Sequence, residues 1–212
     1  MPELRTVLLL LLALLVPASA FATAGEEWRF RVLLDDREIG SHRFTVTERD
    51  GRREVESDAS FAVRFLFIDA YRYTHRAQER WRGDCLEAIE AVTDDNGRQL
   101  KVRGVRDGGR LDVVTEEGRA SLPGCVMSFA YWNPAMLRQA RLLNAQTGEH
   151  DAVRVEALGE EPIRISDREL LARRYALHAE GLRIDLWYGP GDRWVQLESK
   201  TRTGQRLRYL IQ

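Results

Sequence analysis

VESDASFAVRFLFIDAYRYTHRAQERW, residues 55–81, alternates along most of its length. Val55, Ala59, Phe61, Val63, Phe65 and Phe67 fall on odd positions, while Glu56, Asp58, Ser60 and Arg64 take the even ones. Beyond Asp69-Ala70 the alternation resumes. Arg72, Thr74, Arg76, Gln78, Arg80 and Arg82 form one set, and Tyr71, Tyr73, His75, Ala77, Glu79 and Trp81 the other. Side chains of a strand point to opposite faces in turn, so the pattern predicts two long strands with a bend near Asp69-Ala70. The inward set of the second strand is aromatic and polar rather than aliphatic, which marks it as the candidate site.

The same rhythm extends in both directions. Trp28, Phe30, Val32 and Leu34 share one face, and His42, Phe44 and Val46 another. Arg49-Asp50-Gly51, Asp107-Gly108-Gly109 and above all Asp95-Asn96-Gly97 are hairpin punctuation, because Asn-Gly supplies the positive φ values that a two-residue turn requires. Towards the C-terminus, short strands are expected around Val153-Val155 and at Arg164-Ile165. Asp167 to Leu171 reads as a loop or one helical turn, and Leu182 to Tyr188 as a clean strand. The rhythm breaks at Phe129 to Leu137. There Asn133 suits a helix N-cap and Pro134 the first helical position, so a short helix over 134–141 is expected. With no long amphipathic helix between strands, a parallel βαβ sheet is improbable. The expected fold is mainly β, a single antiparallel meander forming a curved sheet or open β-barrel around that helix.

Residues 1–24 stand apart. A short start with Arg5, the apolar run Val7 to Val16 and small residues ending at Ala20, Ala22 or Ala24 have the layout of a cleaved secretory leader. About ten apolar residues are too few to span a bilayer. The expectation is a periplasmic or secreted bacterial protein of one β-rich domain, residues 25–212, that does not span a membrane. Net charge is −1, which argues against a nucleic-acid partner. The two cysteines, Cys85 and Cys125, favour a disulfide in an oxidising compartment and are too few for the usual structural zinc site.

Four segments carry a resemblance: FAVRFLFIDAYRY (61–73), TDDNG (93–97), FAYWNP (129–134) and LLNAQTG (142–148). With them the chain resembles a bacterial family of exported proteins known only as a domain of unknown function. From Ala172 to Leu210 it is also similar to a broader uncharacterised family of exported β proteins. The resemblance implies export and a β fold and brings no activity, cofactor or site residue.

Nucleophile elbows, zinc-protease helices and phosphate loops are absent. The histidines, His42, His75, His150 and His178, are far apart in sequence and none is paired at metal spacing, so no metal or cofactor is expected. The candidate ligand-binding set is Tyr71, Tyr73, His75, Glu79, Trp81, Tyr131 and Trp132, with no catalytic residue assigned. Its plainer reading is an aromatic rim on a core, with Glu79 paired to an arginine. Tyr131-Trp132-Asn133 is either a plug closing one end of the sheet or an aromatic gate. Same-face residues four apart on a strand are ~13 Å apart, so a direct His75–Glu79 dyad is not expected. Three functions follow: an exported carrier of a hydrophobic or lipid-like ligand, a small enzyme with a His75/Tyr73/Glu79 pocket, or an interaction protein of the cell envelope.

Overall fold

The structure is a computed structural model that describes residues 25–65, 68–201 and 203–212. The leader expected over residues 1–24 lies outside them, as do Leu66 and Phe67. Thirteen strands form one antiparallel sheet. The N-terminal arm comprises β1 (Glu26–Leu34), β2 (Arg37–Arg49), β3 (Arg52–Phe65), β4 (Ile68–Arg82), β5 (Cys85–Asp95), β6 (Arg98–Asp107), β7 (Arg110–Thr115) and β8 (Arg119–Pro123). After two inner strands, β9 (Arg141–Leu143) and β10 (His150–Ala152), the C-terminal arm adds β11 (Arg154–Ile165), β12 (Arg168–Ala179), β13 (Leu182–Tyr188), β14 (Trp194–Lys200) and β15 (Arg206–Ile211).

Each arm is a meander of nearest neighbours. The arms join where β15 pairs with β1, with Phe30 opposite Ile211 and Val32 opposite Tyr209. The first and last strands therefore meet near the centre, while β11 and β8 are the edges. No pairing links those edges among the described residues, so the barrel is open.

The turns follow their residues. Asp50-Gly51 and Asn96-Gly97 have positive φ at both positions, as a twisted hairpin demands. Asp35-Asp36 does the same without glycine. β4 already begins at Ile68, so Asp69-Ala70, where the bend is expected, lies within that strand. The C-terminal arm holds two further corrections. β11 is one continuous strand rather than two short ones, its alternation broken by an irregularity between Ala157 and Gly159. Asp167 belongs to a tight turn with Ser166, and β12 starts at Arg168, so the loop or helical turn expected at 167–171 is mostly strand.

Residues 124–153 leave the sheet and fill its concave face. Val126, Met127, Met136, Leu142 and Leu143 are buried there against Trp81, Leu86, Ile89 and Leu111 of the sheet. The expected helix over 134–141 is a single 3-10 turn, Pro134–Arg138. Asn133 does cap it, its side chain accepting from Ala135 N at 3.1 Å. The turn stops at Gln139 because Leu142 and Leu143 are claimed by an extended segment: Leu143 N donates to Met127 O at 2.8 Å and β9 pairs with β10. No α-helix occurs among the described residues, and none there is long and apolar enough to cross a membrane.

This plug is fastened at the end of the sheet where β4 meets β5. Cys85 and Cys125 form a disulfide. Asn133 Nδ2 donates to Asp84 at 3.0 Å, the Arg53 guanidinium lies 4.9 Å from the Trp132 ring centre, and Trp81 meets Trp132 edge to face at 5.5 Å. At the opposite end, the loop after Leu143 turns tightly on Asn144, whose Oδ1 accepts from Gln146 N at 2.9 Å. Gly148 sits there at φ +79°, and a Cβ would come within 2.4 Å of the Thr115 methyl, so only glycine lets the loop reach β7.

Candidate functional site

The alternation of β4 carries into space as expected. Ala70, Arg72, Thr74, Arg76, Gln78, Arg80 and Arg82 are exposed, whereas His75, Ala77, Glu79 and Trp81 are buried and Tyr71 and Tyr73 half-buried on the inside. Two cavities lie over this face, one at each level of the plug. The larger is an open bay of about 1080 Å³ among the strand ends opposite the disulfide. Its wall is apolar and aromatic, from Ile39, Phe61, Val63, Tyr71, Leu207 and Tyr209, and its rim is polar, with Asp95, Arg98, Lys101 and Glu117. The smaller is an inner chamber of about 260 Å³ between the sheet and the plug, bounded by His42, His75, Glu79, Tyr131, Trp132 and others. Tyr73, Gln146 and Tyr209 line both and stand between them. Tyr73 Oη donates to Gln146 Oε1 at 3.1 Å, a sheet-to-plug bond that forms the partition.

In the bay, Phe61 stacks on Tyr73 at 5.2 Å and meets Tyr209 at 6.1 Å. Tyr71 Oη donates to Asp95 Oδ1 at 2.6 Å. Burial, together with that nearby carboxylate, pushes both tyrosines above their ordinary pKa, so the bay presents neutral phenols.

The chamber is built on one register row, in which His42 faces Ala59 of β3 and Ala59 faces His75 of β4. Small Ala59 leaves room between the two rings. His42 stacks on Phe44 at 4.0 Å with Nε2 bonded to Ser57 Oγ at 2.7 Å, and its Nδ1 has no partner. His75 Nδ1 is bonded to Thr93 Oγ1 at 2.8 Å. Burial pulls His42 down to about 3, aided by repulsion from His75, and pulls His75 down to about 4. Both rings are neutral at pH 7. Glu79 is buried, with Oε2 accepting from Trp81 Nε1 at 2.9 Å and a further hydrogen bond to Ser128. Burial pushes it up to about 7 against the pull of those bonds. It forms no ion pair with a described arginine, contrary to the plainer reading of the sequence.

Of the residues singled out in the sequence, Tyr71 and Tyr73 line the bay, and Tyr73, His75, Glu79, Tyr131 and Trp132 line the chamber. Trp81 is corrected: it is fully buried in the floor, donates to Glu79 and touches neither cavity. His75 and Glu79 share a wall but bond to different partners, Thr93 on one side and Trp81 with Ser128 on the other. They do not form a dyad. Tyr131-Trp132-Asn133 is part of the plug, with Tyr131 O accepting from Tyr188 Oη at 2.8 Å. His42, Phe61, Gln146 and Tyr209 also line the cavities, outside the set that the sequence singles out. The alternation around His42 and Phe61 was enough to turn them inward. For Gln146 and Tyr209 no local signal exists, because each reaches the site through pairing with distant chain.

A family model described as a domain of unknown function, DUF6134, matches residues 30–212, and the chain belongs to that family. No curated protein matches the sequence. Among solved structures the fold is similar to a β-barrel-like protein of another domain of unknown function, DUF1849, from Brucella abortus. The TM-score is 0.63 at 9% identity, over 89% of this chain and 96% of that one. At that identity the likeness concerns fold alone.

Proposed function

We propose that this member of the DUF6134 family is an exported, non-enzymatic protein that binds or carries a hydrophobic or lipid-like ligand in the bay of its open sheet. The observation that carries this reading is the contrast within one concave face. The plug fills the disulfide end to full burial, while about 1080 Å³ beside Phe61, Tyr71, Tyr73 and Tyr209 stays open. A cavity with an aromatic and aliphatic wall and a polar rim suits a ligand with a greasy body. The leader-like start of the sequence and the Cys85–Cys125 disulfide support a periplasmic or secreted location.

The envelope-partner reading would rely on the unpaired edges. β8 is short and ends in Pro123, and β11 carries Pro162, an irregularity at Gly159 and the charges Glu160 and Glu161, all features that discourage strand addition. The enzyme reading requires His75 and Glu79 to act together, yet His75 is bonded to Thr93 and Glu79 to Trp81. The carrier reading is tested by recovering the protein from the periplasm and analysing it by native mass spectrometry and solvent extraction. A stoichiometric hydrophobic adduct, displaced from an Ile39→Ala/Leu207→Ala variant, is expected. Repeated recovery of empty protein that also takes up no added amphiphile would remove the reading.

A further inference from the structure

The inner chamber has a chemistry of its own. It is lined by six aromatic side chains, Phe44, Tyr73, Phe129, Tyr131, Trp132 and Tyr209, and by two carboxyl groups, Glu79 and Asp151. The chain holds 32 Lys and Arg residues, yet none of the described ones lines this space. Asp151 is half-buried near the exposed Arg141. Glu79, deeper, meets only neutral donors, Trp81 Nε1 and Ser128. The two histidines add no positive charge, and the buried Nδ1 of His42 is left without a partner.

Such a lining is hostile to an anion, which would meet Glu79 with no cation to offset it. It is suited to a cation, which gains from the faces of aromatic rings and from a buried carboxylate that lacks a counter-ion. We propose that the inner chamber is a binding site for a compact organic cation, an ammonium or quaternary ammonium group, and that in a bound amphiphile this group forms the head. The inference rests on the carrier reading only for the tail. With the head against Glu79, the tail passes the Tyr73–Gln146 partition into the bay, since both residues line the two cavities.

The experiment uses the purified protein and four probes: dodecyltrimethylammonium, dodecanoate and dodecanol, each below its aggregation concentration, and tetramethylammonium alone. Binding is followed by calorimetry and tryptophan fluorescence. The ammonium amphiphile is expected to bind at least tenfold more tightly than the carboxylate. Glu79→Gln should lose that preference while still binding dodecanol, and Asp151→Asn should weaken it less. Equal binding of the three chains would overturn the cation site and leave the carrier reading standing, as would a preference that survives in both variants. Binding of tetramethylammonium with no gain in affinity from the dodecyl chain, and no binding of dodecanol, would keep the cation site and remove the carrier. If none of the four binds, both fall.

Discussion

The floor and the mouth of the same sheet are built from the same strands and differ in what covers them. At the floor, Trp81, Leu86 and Ile89 of β4 and β5 are sealed by Met127, Met136 and Leu142. At the mouth, Phe61 of β3 stacks on Tyr73 of β4, and both, with Tyr71, face an open bay. Residues ten apart on one strand thus serve as core wall and as site wall. The difference lies in the crossing segment, which is tied to the floor by a disulfide and a 3-10 turn and reaches the mouth only through the loop at Gln146. Stability should therefore reside in the floor and binding in the mouth.

Trp81→Ala is the severest test of that division. It opens a large void beneath Trp132 and strips Glu79 of a donor, so urea unfolding should show a loss of about 3–5 kcal/mol. The double variant Cys85→Ser/Cys125→Ser should lose about 3–4 kcal/mol, because the bridge closes a loop with a sequence separation of 40. Its damage should centre on the plug, read as faster amide exchange at Met127 and Leu143.

Glu79→Gln separates charge from packing. In the folded protein Glu79 titrates at about 7 rather than its ordinary 4.5, so its contribution to stability is fully present below 4.5 and is lost as pH rises through 7. The variant should match the wild type at pH 4, begin to exceed it above 4.5, and exceed it at pH 9 by on the order of 3 kcal/mol. The depressed histidines act oppositely, weakening the fold as pH falls below their usual 6.5, but they do so in both proteins and cancel in the comparison. At the mouth, Ile39→Ala/Leu207→Ala should cost only about 1–2 kcal/mol while abolishing retention of an amphiphile. Tyr73→Phe, which removes the partition bond to Gln146, should change stability by ~1 kcal/mol or less and show itself mainly as faster ligand release in stopped-flow fluorescence. If instead the mouth variants unfold the protein as readily as the floor variants, the division fails.

The two regions were unequally legible in the sequence. Every residue of the inward set of β4 lies inside, because alternation is a local property that burial preserves. Turns at Asp50-Gly51 and Asn96-Gly97 were legible for the same reason: their φ values are set by two residues. What alternation cannot express is where the crossing segment lies. Trp81 and Tyr73 look alike by pattern, and only the plug makes one a floor and the other a wall. The helix expected after Pro134 had sound start signals, yet the burial of Leu142 and Leu143 in an extended pairing cut it to a single turn. Gly159 hid the continuity of β11 by shifting the phase of its alternation. Gln146 and Tyr209 reach the site through contacts with residues far away in the chain, and no window of sequence contains both partners.

The pairing of β15 with β1 has a consequence for how the molecule comes to exist. Every other pairing in the large sheet joins consecutive strands across a short turn, whereas this one joins Phe30 to Ile211. Its closure entropy falls due only when almost the whole chain is available, which makes it the slow step in assembly. Without β15 in place, β1 and β14 are each left with an unpaired edge. A chain with that property is held back from premature completion by its own topology. Deleting the final six residues should leave two associated but unzipped halves rather than a shortened version of the same sheet.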